Sequence, residues 1–199
     1  MIKVFFATLL LFLFVGCSTT KPAVTEYKLS LKELNNSYAS SGCKDKTLKV
    51  SQAFSSSSLM SLNMKYMQDP NSIYSYSQAQ WSDSPNQEIT SQIVKVLRES
   101  KIFKNTQSSK SRSKSNLILE VDIEDFMQYY SKKLDSSYAK ATISFTLLDY
   151  ETNKVVASKT FSSKQEIDSL DASGGVDGLN KALKDVLTQA LEFLSGVCK

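Results

Sequence analysis

The sequence predicts an α+β domain of two layers, in which two amphipathic helices pack on one face of a mainly antiparallel sheet. Apolar and polar residues alternate over residues 117–124 and again over 138–149, as in strands that have one face in water. A segment that starts at Pro85 and ends before Ile102, and residues 176–195, instead place apolar residues at spacings of three and four, as in helices with one buried stripe. Strands and helices that are each apolar on one side can bury those sides against one another.

The chain begins with a segment typical of a cleaved signal peptide, residues 1–16. A single charge at Lys3 precedes a largely apolar run from Val4 to Val15, and Gly16 is a small residue at the cleavage position. The run is too short to span a bilayer, because a spanning helix needs roughly 20 apolar residues. An anchor would therefore have to come from another feature.

That feature is Cys17. Leu13-Phe14-Val15-Gly16-Cys17 resembles the lipobox of bacterial lipoproteins, in which the cysteine thiol receives a diacylglycerol and the freed amine is then acylated. Several acyl chains hold a protein on a membrane, since each buried methylene contributes about 0.8 kcal/mol. An Asp after the cysteine usually signals inner-membrane retention in Gram-negative lipoproteins; Ser18 stands there, so the resemblance implies the outer membrane, facing the periplasm. The alternative is an ordinary secretory signal with a cysteine near its end by chance.

We predict that residues 17–42 are the lipidated amino terminus and a flexible tether, and that residues 43–199 form the folded domain. The first segment mixes Ser, Lys, Asn and isolated apolar residues without a sustained period, which is typical of a linker. From Thr47 the pattern changes to a strand-like stretch that leads to Phe54. The domain is therefore expected to begin near Cys43.

The first half of the domain is predicted to contain a tyrosine-rich hairpin. Residues 63–68 and 73–81 form its arms, and Asp69-Pro70-Asn71-Ser72 has turn chemistry. Its aromatic residues are Tyr66, Tyr74, Tyr76 and Trp81. They have two interpretations: packing across the strands of the hairpin, or contact with a partner or lipid, because Tyr and Trp are enriched at interface centres.

A helix, three strands and a second helix follow the hairpin. Ser84-Pro85-Asn86-Gln87 is a helix-start signature, because Ser can accept from a free amide and Pro suits the first turn. Residues 117–124, 138–149 and 154–166 are expected to form an antiparallel meander. Gly174-Gly175 precedes the last helix and suggests a flexible entry to it.

Two cysteines remain besides the one in the lipobox, Cys43 and Cys198. A compartment outside the cytoplasm permits disulfides. Closing so long a loop would contribute on the order of 4–5 kcal/mol in the chain-entropy model. We therefore predict that Cys43 and Cys198 are bonded to each other.

The composition argues against catalysis and against nucleic-acid binding. The chain has no His, which removes the commonest general base and the usual zinc ligand. Glu120, Asp122 and Glu124 mark the wet face of a strand, with a carboxylate couple as the alternative. The net charge is only +4, and the basic run 101–114 is diluted by Ser and Asn, as in a solvated loop. We expect no enzymatic activity, no cofactor, no metal and no nucleic-acid partner.

Several short motifs follow the lipobox in a definite order. They are Tyr27-Lys28-Leu29, Leu48-Lys49-Val50, the hairpin ending in Trp81, Pro85 with its helix, Ser100-Lys101-Ile102-Phe103, the strand from Leu119 to Phe126, and the C-terminal helix. Each is weak alone, but their order and spacing from Tyr27 to Leu194 resemble the ABC-type transport auxiliary lipoproteins, which include the lipoprotein of the paraquat-inducible system. The Ser/Lys loop 107–115 and the Cys43/Cys198 pair depart from that pattern.

The resemblance implies a non-enzymatic periplasmic subunit of a lipid-transport machine. Members of the family work with an inner-membrane ABC transporter, made of permease and ATPase, and with proteins that carry mammalian-cell-entry (MCE) domains, moving phospholipid between the two membranes. The lipoprotein would dock to the MCE assembly from the outer membrane, in one arrangement as a ring of identical subunits. An alternative is a lipoprotein that assists assembly of an outer-membrane or cell-surface structure. A third, a cell-wall or lipid hydrolase, requires a nucleophile and a base that the sequence does not offer.

Overall fold

The sheet is built around a central strand of fourteen residues. The computed structural model describes residues 22–31, 34 and 42–198. In chain order the strands are β1 (Thr25–Tyr27), β2 (Thr47–Val50), β3 (Phe54–Ser55), β4 (Asn63–Asp69), β5 (Ser72–Trp81), β6 (Asn105–Ser108), the central β7 (Leu117–Tyr130), β8 (Ser137–Asp149) and β9 (Val155–Ile167). The helices are α1 (Pro85–Glu99) and α2 (Ala172–Val197), with a short 3₁₀ helix at Ser57–Met60. The predicted signal peptide 1–16 and Cys17 lie outside the described residues.

The predicted meander is present, but the sheet as a whole is mixed. Strands β7, β8 and β9 pair antiparallel over almost their full lengths, and β4 pairs antiparallel with β5. The other edge of β7 pairs in parallel with three strands in succession, β2, β3 and β4. Two further pairings are also parallel: β2 with β6, and β1 with β5. The expectation of a mainly antiparallel sheet missed these pairings, because they join strands that are separated by a hairpin or a helix in the chain.

One core lies between the sheet and both helices, which confirms the two-layer α+β prediction. The apolar residues of the alternating strands face this core, whereas their polar neighbours face water. The largest fully buried side chains come from strands and both helices; they include Leu48, Leu119, Ile123, Ile143, Phe145, Leu147, Ile89, Ile93 and Leu179. Because the two helices contribute to one cluster, they cover the same face of the sheet.

Both helices begin close to their predicted starts, with capping that differs from the sequence signature. Pro85 occupies the first turn of α1, but the Ser84 hydroxyl caps no backbone amide and instead accepts from Gln87 Nε2 at 3.0 Å. Helix α2 begins earlier than predicted, because the Asp171 carboxylate accepts from the Gly174 amide at 2.8 Å. Gly174 and Gly175 are therefore buried helical residues and not a flexible entry.

The segment before Cys43 is not a tether throughout. Strand β1 pairs with β5, and Leu29 and Leu31 are buried in the core. Side chains of both helices hold this stretch: the Leu29 amide donates to Glu88 Oε2 at 2.7 Å, and the Ser30 amide donates to Asn180 Oδ1 at 2.9 Å. The tether prediction for 17–42 is therefore wrong over residues 22–31, because a short segment held by distant side chains has no period of its own.

No helix in the part of the chain that the structure describes is both long enough and apolar enough to cross a membrane.

Candidate interaction site

Four tyrosines meet where the β4–β5 hairpin lies beside the end of β7, and we call Tyr66, Tyr74, Tyr76 and Tyr130 the tyrosine cluster. Tyr66 is directly opposite Tyr74 in the hairpin register, and their rings stack with centroids 5.5 Å apart. Tyr66 also lies 4.7 Å from the Tyr76 ring and 5.3 Å from the Tyr130 ring, centroid to centroid. These separations are those of favourable aromatic pairs, so the cluster ties the hairpin to the central strand.

A hydrogen-bond network runs from this cluster into the core. The Tyr76 hydroxyl donates to Gln128 Oε1 at 2.7 Å and shares a 2.7 Å bond with the Tyr130 hydroxyl. The Gln128 side chain is fully buried, and its Nε2 donates to Ser137 Oγ at 3.0 Å. Burial, followed by the bond to Tyr130, raises the pKa of Tyr76, and burial also raises the pKa of Tyr130. Both phenols therefore stay neutral at physiological pH and serve as fixed hydrogen-bonding groups.

Gly175 in the first turns of α2 makes room for this network. A Cβ at that position would lie 2.1 Å from Gln128 Oε1 and 2.9 Å from Gln128 Cδ. Any larger residue would push the Gln128 amide away from Tyr76. The glycine therefore allows α2 to approach β7 closely enough to bury the amide.

The four predicted contact residues have different positions. Trp81 is buried and faces Phe126, with ring centroids 6.3 Å apart, so it is a core residue. Tyr66 and Tyr76 are half-buried within the cluster, and Tyr74 is exposed. Cross-strand packing therefore accounts for most of this group. The sequence prediction missed Ile73, which is exposed beside Tyr74 on the outer part of the hairpin.

The predicted disulfide is present between Cys43 and Cys198, with the two Cα atoms 5.1 Å apart. It joins the chain just before β2 to the residue that follows α2. The link therefore connects the start of the segment that continues from residue 42 with the end of α2, as the positions of the two cysteines in the sequence suggest.

The middle of the outer face of the meander is polar. Glu120, Asp122 and Glu124 are exposed there, which agrees with the solvent-face interpretation. Beside them, hydroxyls pair across β8 and β9: Thr142 with Ser162 at 2.9 Å, Ser144 with Thr160 at 2.5 Å and Thr146 with Ser158 at 2.8 Å. Among the described residues no group of three or more His, Cys, Asp or Glu side chains is placed to hold a metal ion.

The basic run between α1 and β7 is partly structured. Residues 105–108 form β6, while Lys110, Arg112 and Lys114 are exposed in the loop that follows. The Gln107 side chain accepts from the Ser111 hydroxyl at 2.5 Å and also from the Ser113 hydroxyl, so serines of this segment order its turn.

The family model for the ABC-type transport auxiliary lipoprotein component matches residues 27–190 of this sequence. The chain belongs to this family. The match begins at the strand that pairs with β5 and ends within α2, so it covers both helices and the sheet between them. Membership makes the protein a lipoprotein component that accompanies ABC-type transport.

Solved structures share the fold of this family member. The crystal structure of protein XCC0632 from Xanthomonas campestris, of the DUF330 family, is similar with a TM-score of 0.78 and 18% identity, covering 87% of this chain and 96% of that one. An uncharacterized protein is similar with a TM-score of 0.68 and 12% identity, covering 87% and 99%. The PelC dodecamer from Paraburkholderia phytofirmans has a TM-score of 0.49 and 14% identity, covering 76% of this chain and 88% of that one. This TM-score is too low to support an argument about how this protein assembles. Among curated proteins, none matches this sequence.

Proposed function

We propose that this auxiliary lipoprotein is a non-enzymatic, lipid-anchored periplasmic subunit of an MCE-type ABC transport system for phospholipid. It acts as a docking or scaffold component between the two membranes. The observation that carries the proposal is the family match over residues 27–190, which makes the protein an accessory to ABC-type transport. The neutral, internally bonded tyrosines of the cluster fit a role in structure and contact better than one in proton transfer.

The membrane attachment in this proposal is a lipid on Cys17, with the protein on the periplasmic face of the outer membrane. Ser18 follows the cysteine, which favours that membrane over the inner one. An anchor confines the domain to the membrane surface. Its effective concentration at a docking site on the same membrane therefore rises without any new contact. Replacing Cys17 with Ala should leave the domain folded but release it from the membrane fraction.

The proposed partners are an MCE-domain protein and, through it, the permease and ATPase of the transporter. A ring of identical subunits would present several copies of the domain to a single partner. Adjacent genes for permease, ATPase and MCE-domain protein would agree with the proposal, whereas neighbouring genes for secretion or surface polymers would favour the assembly of a cell-surface structure.

Site-specific photocrosslinking in intact cells tests the partner. A photoreactive residue replaces exposed Tyr74 in one strain and exposed Tyr150 in another, because these lie at opposite ends of the sheet and neither is buried. At least one strain should yield an MCE-domain protein. The same substitutions in the Cys17→Ala background are the control and should yield far less of it, since the protein would be mislocalised.

Two outcomes would contradict the proposed function. If both positions capture only proteins that build surface structures, under conditions that capture known MCE assemblies, the transport role is wrong. If the Cys17→Ala protein still sediments with membranes, the lipid anchor is wrong.

A further inference from the structure

One end of the sheet contains the turn of the hairpin and two loops. Strand β4 runs parallel to β7, so the turn at Asp69–Ser72 lies beyond the last residue of β7. The loop 131–136 between β7 and β8, and the loop 168–171 that leads into α2, close the same end. We call this the hairpin end.

The chain before β1 comes from the direction of the hairpin end, although β1 itself pairs with Ala79–Trp81, the last three residues of β5. Strand β1 is parallel to β5, and β5 begins at the hairpin turn. The residues before Thr25 therefore run toward that turn and away from the far end of the sheet. Pro22, the first described residue, is three positions further in this direction.

The distance from Pro22 to Cys17 limits how the domain can sit on a membrane. Cys17 is five positions before Pro22, and this length of chain spans at most about 18 Å when fully extended. Strand β8 has 13 residues and is therefore about 43 Å long. Because β1 lies near the middle of the sheet and the chain before it runs toward the hairpin turn, a lipid on Cys17 reaches the hairpin end more readily than the far end.

Large apolar side chains are exposed at this same end. Ile73 is 52% exposed, Leu134 is 49% exposed, and Tyr74 lies beside Ile73 on the hairpin. Leu170 is also exposed, in the loop before α2. Exposure of apolar and aromatic side chains to water is unfavourable. Side chains at the tips of adjacent loops can instead insert between the lipid headgroups and the acyl chains of a bilayer.

Leu134 carries an additional signal. Its φ angle is +57°, a left-handed conformation that Gly or Asn adopts at much lower cost than Leu. The side chain is 49% exposed, so burial offsets only part of that cost. A strained and half-exposed apolar residue fits a contact outside the folded domain.

The charged groups at this end are of both signs, since Asp69, Asp135, Asp168 and Asp171 lie there with two lysines, so apolar contact and not net charge would hold this end on a lipid surface. Lys132 and Lys133 precede Leu134 and can meet lipid phosphates. Two of the nearby acids are engaged locally: Asp69 Oδ1 accepts from the Asn71 amide at 3.0 Å, and Asp135 Oδ1 accepts from the Ser131 hydroxyl at 2.6 Å.

We propose that the hairpin end lies against the bilayer, with Ile73, Tyr74 and Leu134 in the headgroup region, and that the far end of the domain points away from the membrane. This orientation rests on the lipid anchor of the proposed function. The far end also exposes Tyr150 and Val155, which in this orientation lie away from lipid. They remain available to a protein partner.

Quenching by lipid nitroxides tests the orientation in the complete lipidated protein. A single cysteine at Leu134→Cys or, as the matched control, at Val155→Cys receives a fluorophore under non-reducing conditions, so that the Cys43–Cys198 bond stays intact. Both positions are exposed, at 49% and 61%, so neither substitution disturbs the core. The proteins are reconstituted in vesicles of phosphatidylethanolamine and phosphatidylglycerol, with headgroup nitroxides as quenchers.

The probe at position 134 should be quenched at least about threefold more than the probe at 155, because interfacial insertion is only about 5–10 Å deep. Equal quenching at the two positions, or stronger quenching at 155, would overturn the orientation. A probe at 134 that is shielded from aqueous iodide but unaffected by the lipid nitroxide would show a contact with protein, a second copy or a partner, and would also overturn it.

The lipid anchor itself is checked separately, by fractionation of the Cys17→Ala protein. If that variant is soluble and the two probes are quenched equally, the orientation alone is wrong. If the variant stays with membranes, the anchor and therefore the proposed function are wrong.

Discussion

The two ends of the sheet are held together by different means. At the hairpin end, aromatic contacts and the buried Gln128 amide tie hairpin, central strand and α2 together without a covalent link. At the far end, the Cys43–Cys198 disulfide joins the chain just before β2 to the residue after α2. The far end therefore has a covalent link in addition to its core packing, whereas the hairpin end has close packing alone.

The largest expected effect comes from removing the disulfide. Cys43→Ser with Cys198→Ser should lower the free energy of unfolding by about 4–5 kcal/mol, because the bond closes a loop of 155 positions in the unfolded chain. Urea unfolding of the soluble Cys17→Ala chain measures this. The reduced parent protein is the control and should match the double variant. An unchanged midpoint would mean that the far end does not depend on the bond.

A smaller loss is expected from crowding the hairpin end. Gly175→Ala places a Cβ 2.1 Å from Gln128 Oε1, so the amide must shift, and the free energy of unfolding should fall by about 1–3 kcal/mol. Gly196→Ala is the matched control in the same helix, since no neighbouring atom lies within 4 Å of its added Cβ. It should stabilise by about 0.5–1 kcal/mol. Equal effects at the two glycines would refute the close-packing account.

Removing one hydroxyl from the network should cost less again. Tyr76→Phe leaves the buried Gln128 Oε1 without the hydroxyl that donates to it, and the expected loss is about 1 kcal/mol in the free energy of unfolding. Tyr74→Phe is the control, because Tyr74 is exposed and its hydroxyl has no role in the network. Thermal unfolding of both variants compares them. A loss at Tyr74 as large as that at Tyr76 would contradict this account, because the loss would then not depend on the hydrogen bond to Gln128.

The smallest expected effect is a pH dependence of the free energy of unfolding, which involves residues 22–31 and Glu88. Burial raises the pKa of Glu88 above its ordinary value of 4.5, against the opposing effect of its bond from the Leu29 amide. The folded protein therefore holds this proton more tightly than the unfolded chain, so stability should fall as pH rises from 4.5 through the raised pKa. Urea unfolding over this range should show a flatter dependence for Glu88→Gln. Parallel curves for variant and parent would exclude Glu88 as the cause.

The local pattern of apolar and polar residues predicted many of the strands and helices of the domain. Alternation over 117–124 and 138–149 predicted two strands of the meander, since alternate residues of a strand face opposite sides. Apolar spacing predicted both helices, and the polar row at Glu120, Asp122 and Glu124 was correctly assigned to water. The tyrosines were correctly placed in one hairpin, but which of them is exposed depends on β7 and α2, which are distant in the sequence.

The sequence by itself determined the one-sided strands and helices, the hairpin and its turn, and a pair of cysteines suited to a disulfide, because these properties reside in consecutive residues or in composition. Only the tertiary structure decided the parallel pairings of β7, the docking of residues 22–31 and the meeting of Gly175 with Gln128. Those features come from residues brought together by folding, so no local period records them. They also set the direction from which the chain reaches β1, and with it the proposed orientation on the membrane.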